Sequence, residues 1–260
     1  MPRRGKLATM QTTPVTATET TEALFRDDAL LAECSAAITA IDALGVRLDR
    51  SVFYPLGGGQ AGDRGEFELA DGCVLAIADT RKGAVPGEIV HVPAAGQEAL
   101  LARLSPGQAV RARIDVPRRQ RHMRFHTATH LLCALVPHPV DGCSITADHA
   151  RLDFHMNEPL DRDALAAGLA RLVREAHPVR QRWIDEAELD ANPGLVRSMS
   201  VQPPRGLGRV RVLEIEGVDL QPCGGTHVSN TAEIGAVVIT KIEKKSAMTR
   251  RVVLGFAEPG

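Results

Sequence analysis

Short segments in which apolar and polar residues alternate occupy much of the first half of the chain. Alternation with a period of two is typical of strands that bury one face, and turn residues separate such strands. The pattern predicts the strands Ala36–Leu44, Val46–Phe53, Phe67–Leu69, Val74–Asp79, Glu88–Val92 and Ala109–Ile114. Evenly spaced short strands are typical of a small barrel. We therefore expect a β-barrel domain over residues 23–115, preceded by a flexible tail over residues 1–22.

The pattern changes after Pro117, where longer apolar stretches alternate with strand-like ones. Helices are predicted over Arg124–Leu135, which is long and apolar enough and is followed by two prolines, over Asp161–Ala176, whose leucines recur at helical spacing, and over Glu186–Asn192. Strands are predicted over Ala150–Phe154, His177–Ile184, Val210–Ile215, Gly235–Ile242 and Arg251–Phe256, of which the last three are rich in Val and Ile. The second domain, over residues 116–260, is therefore predicted to be α+β. The segment Leu24–Cys34 fits a short helix or a strand equally well.

Composition excludes several classes of protein. No apolar run approaches the roughly 18–20 residues that span a bilayer, and no secretory apolar stretch is visible, so we expect a cytoplasmic protein without a membrane partner. The five cysteines are odd in number and form no CxxC pair, which favours reduced thiols. A formal net charge of −1 argues against a protein that coats DNA. A local basic patch can still bind a different nucleic acid.

Two pairs of residues offer metal ligands. His126 and His130 stand four residues apart in a predicted helix, which places both imidazoles on one face. Cys223 and His227 are separated by Gly-Gly-Thr, and the glycines allow a tight turn through which both side chains can converge. One thiolate and three imidazoles suit zinc better than magnesium or calcium. Four protein ligands would close a tetrahedral site, so the ion either has one loose ligand, expands its coordination, or positions substrate while another group handles water.

A glycine-rich segment and a basic run form two further candidates. The segment Phe53–Gly65 lacks the Lys-Ser/Thr ending of a P-loop. It is either a plain connection or a loop whose bare backbone at Gly57, Gly58 and Gly59 lies close to a ligand, with Gln60 and Asp63 as polar contacts. Basic residues crowd the chain just before the first histidine pair and recur near its end. The candidate tRNA or phosphate contacts among them are Arg118, Arg119, Arg121, Arg124, Lys244 and Lys245.

Three motifs together resemble a known family. The segment Arg124–Leu132 (RFHTATHLL) and the segment Gln221–Val228 (QPCGGTHV) resemble the editing domain of alanyl-tRNA synthetase and its freestanding relatives, the AlaX proteins. The segment Phe53–Asp63 (FYPLGGGQAGD) resembles the glycine-rich motif of the longer AlaX proteins. The similarity covers about residues 23–256, nearly the whole chain.

The resemblance implies a fold, a substrate and a cofactor. The fold would be a small β-barrel followed by an α+β editing domain, of the kind found as the second additional domain of threonyl- and alanyl-tRNA synthetases. The activity would be hydrolysis of the ester that joins serine, or glycine as a second candidate, to tRNA(Ala). His126, His130, Cys223 and His227 would hold one zinc ion, and the glycine loop would help to recognise the aminoacyl end. The protein would act in trans, with no need for ATP, as a monomer or homodimer.

The chemistry of such a site leaves alternatives open. Acceptance of serine requires a polar partner for its hydroxyl, because a pocket cannot exclude the smaller alanine by size. Thr129 or Gln60 could supply that partner and act in catalysis. The alternatives to an editing hydrolase are a zinc-stabilised RNA-binding module without activity, a degenerate relative that only binds tRNA, and a metallohydrolase of small esters or amides.

Overall fold

The computed structural model describes residues 20–257 except 201, 204 and 207. Eight strands lie in the first half of the described chain: β1 (Glu22–Ala23), β2 (Glu33–Asp42), β3 (Gly45–Leu48), β4 (Arg50–Ser51), β5 (Gly65–Leu69), β6 (Val74–Lys82), β7 (Ile89–Pro93) and β8 (Ala109–Ile114). Six of them close into a barrel in the order β2-β3-β7-β6-β5-β8, while β1 and β4 form a short parallel pair. A short helix, α1 (Glu98–Leu101), precedes β8.

The barrel follows from the alternation in its sequence. Along β5 and β6 every second side chain points inward, so that Phe67, Leu75 and Ile77 are buried. The predicted strand Val46–Phe53 is interrupted in the structure. The carboxylate of Asp49 accepts hydrogen bonds from the backbone N–H groups of Ala37 and Arg50, and these bonds end β3 at Leu48.

The described part of the second half combines two sheets with three α-helices. Its helices are α2 (Val116–Leu135), α3 (Arg162–Arg174) and α4 (Glu186–Ala191). Its strands are β9 (Val140–Ile145), β10 (Ala150–His155), β11 (Val179–Asp185), β12 (Arg209–Ile215), β13 (Asp219–Pro222), β14 (Val237–Ser246) and β15 (Thr249–Phe256). One sheet has the order β14-β15-β10-β9 and the other the order β11-β12-β13. The α+β fold with an N-terminal barrel is therefore confirmed.

Helix α2 is the central element of the second half. It begins eight residues earlier than predicted, because Asp115 caps it by accepting a hydrogen bond from Arg118 N (3.0 Å) and Pro117 stands in its first turn. Its apolar face, which includes Phe125, Leu131 and Leu132, packs into the core of the second half. The helix thus starts at the end of the barrel and carries residues 126 and 130 through a buried environment.

Several further predictions can be compared with the structure. The segment Leu24–Cys34, which fitted helix or strand, contains a 3₁₀ turn at Leu24–Arg26 and then the start of β2. Strands β9 and β13 were not predicted; β9 follows Pro139 and carries Gly142 in its interior. All five cysteines are free thiols. Most of the tail predicted over residues 1–22 lies outside the described residues. None of the helices in the described ranges is long and apolar enough to cross a membrane.

Candidate metal centre and its cavity

The four predicted ligands converge at one point. His126 and His130 stand one turn apart on α2, and Cys223 and His227 follow directly after β13. The candidate ligand atoms of the four side chains all lie within 4.8 Å of one another. Cys223 Sγ is 3.5 Å from His126 Nε2 and 3.2 Å from His227 Nε2. Two ligands of a tetrahedral zinc ion stand about 3.3–3.6 Å apart, given metal–ligand bonds of about 2.0–2.3 Å. The cluster could therefore hold a metal ion.

The glycines between Cys223 and His227 have different roles. A Cβ atom at Gly225 would lie 2.1 Å from His126 Cε1 and 2.4 Å from its Nδ1, so the imidazole can approach only because this residue has no side chain. A Cβ atom at Gly224 would meet nothing within 4 Å. Gly225 is thus required by the packing of His126, whereas Gly224 borders open space in the cavity.

Each imidazole is oriented by a hydrogen bond at the nitrogen that faces away from the cluster. His126 Nδ1 lies 2.8 Å from Gln60 Oε1, and His130 Nδ1 lies 2.9 Å from Asp219 Oδ2. Both partners are acceptors, so Nδ1 carries the proton and donates it. His227 Nδ1 makes a longer contact of 3.4 Å to the hydroxyl oxygen of Thr127. Such outer partners fix the tautomer of metal-binding histidines, and here they leave every Nε2 free to point at the cluster centre.

The electrostatics of Cys223 and His227 favour the forms that bind metals, whereas His130 must lose a proton before it can bind one. Burial raises the pKa of the Cys223 thiol, but the neighbouring His126 and His227 outweigh burial and hold it well below its usual range. Burial lowers the pKa of His227 to about 3 against the opposing effect of Cys223. For His130, burial also lowers the pKa, but the hydrogen bonds with Asp219 and Cys223 prevail and raise it to about 10. Without a cation the cluster therefore retains a proton beside the thiolate, in the position that a metal cation would take.

The cluster opens into a cavity of about 370 Å³. Three of the ligands, His126, His130 and Cys223, line it together with Thr129 and the backbone of residues 57–59. The hydroxyl of Thr129 donates to His126 O (2.7 Å), so its oxygen lone pairs remain able to accept a hydrogen bond. The cavity thus joins the candidate metal cluster to the glycine loop.

The glycine loop is a tight turn built on β9. Gly57 and Gln60 exchange two backbone hydrogen bonds of 3.0 and 3.1 Å, and the two residues between them have positive φ angles of 58° and 85°, which glycine tolerates best. A Cβ atom at Gly59 would lie 2.9 Å from Cys143 Sγ. Ile145 N donates to Gly59 O at 2.8 Å. The loop of the barrel half is therefore fixed to the sheet of the second half.

Gln60 lies beneath the loop and has no atom free for substrate in this structure. Its side chain is fully buried. The amide nitrogen donates to Thr226 Oγ1 (2.9 Å), and the amide oxygen accepts from Thr226 N (3.1 Å) as well as from His126. The predicted role of Gln60 as a catalytic or substrate-binding residue is corrected accordingly: its contacts make it a positioning residue for His126.

Asp63 and Arg119 form a buried ion pair, and this placement corrects two predictions. The Arg119 side chain is 2% exposed and that of Asp63 is 1% exposed. The guanidinium binds both carboxylate oxygens and also donates to Ala29 O and Val52 O. Arg119 therefore cannot contact tRNA from this position, and Asp63 has no free face for substrate. The pair instead ties α2 to the barrel.

The remaining predicted tRNA contacts differ in exposure. Arg121 and Arg124 are half-buried, with their guanidinium carbons 4.3 and 4.1 Å from the ring centre of Phe256. Arg118 is half-buried, and burial lowers the pKa of its guanidinium. Lys244 and Lys245 are exposed on β14. None of these five side chains lines the metal cavity within the part of the chain that the structure describes.

Three residues around the cluster were missed by the sequence reasoning. Asp219 has no motif of its own, although it lies four residues before Cys223. Thr127 lies between the two histidines of α2 and is fully buried. Thr226, the partner of Gln60, is likewise fully buried within the Cys-Gly-Gly-Thr-His segment. Thr127 and Thr226 each lie between two candidate ligands in the sequence and are not ligands themselves. This position is the signal that could have identified them as outer partners of the cluster.

Comparison with known proteins agrees with the fold. Residues 210–253 match the family model described as the threonyl and alanyl tRNA synthetase second additional domain. Barrel, second domain and ligand cluster thus define a protein of the synthetase editing-domain class. An alanyl-tRNA editing protein AlaX-M from Methanosarcina acetivorans is 34% identical over 243 residues, covering 89% of this chain and 97% of the relative. An AlaX-M from Saccharolobus solfataricus is 31% identical with the same coverage. The chain belongs to the AlaX-M family of alanyl-tRNA editing proteins.

The synthetases themselves are similar over a part of their length. An alanine–tRNA ligase from Metallosphaera sedula is 36% identical over 206 residues, which are 76% of this chain but 22% of the ligase. The chain therefore spans nearly the whole of the AlaX-M relatives and about a fifth of the ligase, and the resemblance inferred from the motifs is confirmed.

Proposed function

We propose that the protein is a trans-editing hydrolase that deacylates mischarged tRNA(Ala) at a zinc site. Ser-tRNA(Ala) is the principal proposed substrate and Gly-tRNA(Ala) a second one. The observation that carries the proposal is the shared cavity, in which three metal-ligand candidates and the glycine loop face the same space. Relatives that the chain matches over 97% of their length are alanyl-tRNA editing proteins, which supports the choice of substrate.

The donor set supports zinc as the metal. One thiolate and three imidazoles are ligands typical of zinc and unlike those of magnesium or calcium. His126, His130, Cys223 and His227 would hold the ion. When bound, zinc would supply Lewis-acid stabilisation of negative charge or lower the pKa of a water molecule. Burial of the cluster strengthens either effect, since charges interact more strongly away from water.

The residues of the chain supply binding and orientation. The cavity wall at Gly58 and Gly224 has no side chains, so an aminoacyl ester can lie against the backbone there. Thr129 keeps oxygen lone pairs beside the ligands and can accept a hydrogen bond from the hydroxyl of a seryl group. Since Gln60 is committed to His126, Thr129 is the better of the two proposed partners for this hydroxyl. A methyl group offers no such bond, which would favour serine over alanine.

Exposed cations would hold the rest of the tRNA. Lys244 and Lys245 on β14, with the exposed parts of Arg118, Arg121 and Arg124, are the proposed phosphate contacts. Such contacts give affinity that falls with rising salt concentration.

The test measures deacylation of Ser-tRNA(Ala), Gly-tRNA(Ala) and Ala-tRNA(Ala) by metal-loaded protein. We expect loss of serine, slower or comparable loss of glycine, and little loss of alanine. Cys223→Ala should abolish deacylation and lower the zinc content below about one ion per chain. Cys73→Ala is the matched control, because this thiol lies in the barrel half and does not line the cavity.

Two results would contradict the proposal. Metal-loaded protein that binds tRNA(Ala) but releases no amino acid would indicate the zinc-stabilised RNA-binding module instead. Deacylation that survives both chelation and Cys223→Ala would refute the role of the metal. Chelated protein should regain activity with added zinc if the ion acts in the reaction.

A further inference from the structure

The only tryptophan of the chain lies unusually exposed beside the metal cavity. Trp183 stands in β11, an edge strand of its sheet, and its side chain is 49% exposed. Its indole N–H has no hydrogen-bond partner among the described residues. Tryptophan usually buries most of its large apolar surface. An indole that remains half in water at the edge of a site is therefore a candidate contact for a ligand.

Trp183 separates two cavities. The metal cavity lies on one side, and a second, more open cavity of about 560 Å³ lies on the other. Trp183 and Arg26 are the two residues that line both. We call this pair the ridge. Arg26 ends the 3₁₀ turn at Leu24–Arg26, is exposed, and has no ion-pair partner among the residues that the structure describes.

The two cavities beside the ridge are lined by different charged side chains. Lys82, at the end of β6, lines the metal cavity, and its side chain lies over Gly57, where a Cβ atom would be 3.0 Å from its Nζ. It has no carboxylate partner within the described ranges. The second cavity is lined by two acids, Asp27 and Asp28, and also by Arg26 and by Arg180, which is paired with Glu216. Phosphate is therefore favoured near Arg26 and Lys82, whereas the second cavity suits groups that donate hydrogen bonds to carboxylates, such as exocyclic amines and hydroxyls.

These features fit a single-stranded nucleotide. Proteins bind unpaired nucleotides by stacking each base on an aromatic side chain and neutralising its phosphate with Arg or Lys. The aminoacyl ester of a tRNA is attached to the ribose of its terminal adenosine. If the ester lies in the metal cavity, the base on the same ribose must lie at the mouth of that cavity, which the ridge borders.

We infer that Trp183 is the stacking platform for the terminal adenine of the tRNA acceptor end. Arg26 and Lys82 then contact the phosphates of that end. The inference rests on the proposed function for the identity of the ligand, but not on hydrolysis. In this arrangement the amino group of the adenine faces Asp27 in the second cavity, and the ester faces the metal cluster. The ridge is thus a binding element and has no part in the chemical step.

The first experiment uses the fluorescence of the single tryptophan. Wild-type protein loaded with zinc is titrated with uncharged tRNA(Ala), with tRNA(Ala) that lacks the terminal adenosine, and with the trinucleotide CCA. Stacking should quench the emission saturably with the intact tRNA and with CCA. The truncated tRNA should quench it several-fold less. Intact tRNA that binds without any change in emission overturns the inference, because a base stacked on the indole would change the fluorescence of the indole.

The second experiment separates binding from catalysis. Trp183→Ala should raise KM for Ser-tRNA(Ala) about tenfold, as expected for one lost stacking contact, with kcat within about a factor of two. Trp183→Phe should retain most of the affinity, and Leu44→Ala, which removes a distant apolar side chain that is 61% exposed, should change neither constant. An unchanged KM in Trp183→Ala overturns the inference while leaving the editing function intact. Absence of all deacylation contradicts the editing function, and the fluorescence titration then still decides whether Trp183 stacks on a base.

Discussion

Removal of the Arg119 side chain tests whether this residue forms a buried ion pair, as the structure shows, or contacts tRNA, as the sequence predicted. In Arg119→Met the arginine side chain is replaced by an unbranched side chain that carries no charge and no hydrogen-bond donor. Removal of the guanidinium leaves the carboxylate of Asp63 buried with one remaining hydrogen bond, from Tyr54 N (2.6 Å). It also leaves the carbonyl oxygens of Ala29 and Val52 without the guanidinium donor.

The magnitude follows from this burial. Removing one partner of a buried ion pair costs about 3–5 kcal/mol, because the other charge remains away from water without compensation. Domains of this kind have a total stability of about 5–15 kcal/mol, so Arg119→Met should lose a large part of it. The double variant Asp63→Asn with Arg119→Met removes both charges and should lose about 1–3 kcal/mol, the usual cost of unsatisfied polar groups. The second substitution should therefore recover part of the stability that Arg119→Met alone loses, so the two effects on the free energy of unfolding should not add.

The assay is urea denaturation of metal-free protein followed by far-ultraviolet circular dichroism, with the salt dependence of tRNA binding measured in parallel. A phosphate contact would behave in the opposite way: its loss would leave stability unchanged and reduce the slope of log K against log salt by about 1. Arg118→Met is the matched control on the same turn of α2. If Arg119→Met unfolds at the wild-type urea concentration and reduces the salt slope, the buried assignment is wrong.

Three further changes probe the metal cluster and the barrel. Gly225→Ala should lower zinc affinity about tenfold or more, measured by competition with a chromophoric chelator, because the new Cβ would displace His126; unchanged affinity would contradict this packing. Asp219→Asn should weaken zinc binding about 10–100-fold by removing the charge that holds His130, and retained affinity would show that the carboxylate is dispensable. Burial lowers the pKa of His91 to about 4, so the folded barrel binds fewer protons than the unfolded chain between about pH 6.5 and 4 and should lose about 3 kcal/mol as pH falls through this window. Urea midpoints of metal-free protein that do not fall between pH 7 and 4 would refute that sign.

The sequence predicted the ligand cluster because ligand chemistry is local. A pair of histidines at helical spacing and a Cys-Gly-Gly-Thr-His turn each fix the geometry of two side chains within one segment. The barrel was predictable for the same reason, since alternation along each strand reflects the face that it buries. Helix α2 could have been placed in full, because Asp115 and Pro117 are ordinary N-terminal signals.

What the sequence could not predict are the partners of these residues across the fold. Gln60 contacts His126 over a separation of 66 residues, and Asp219 contacts His130 over 89. Nothing in their composition distinguishes these side chains from free polar residues near a ligand. Arg119 was misread for the same reason: an arginine in a basic run shows its burial only when the opposing carboxylate is placed.

The two corrected residues of the glycine loop have a common consequence for the site. Gln60 and Asp63 lie three residues apart on the loop, and their partners on α2, His126 and Arg119, lie seven residues apart, which is about two helical turns. The loop therefore holds α2 at two points on one side of the helix, one of which, His126, is a candidate metal ligand. A displacement of the loop would move His126 relative to Cys223, whose position depends on β13. The barrel half thus contributes to the candidate metal centre, and variants that loosen the Asp63–Arg119 pair should lower zinc affinity as well as stability.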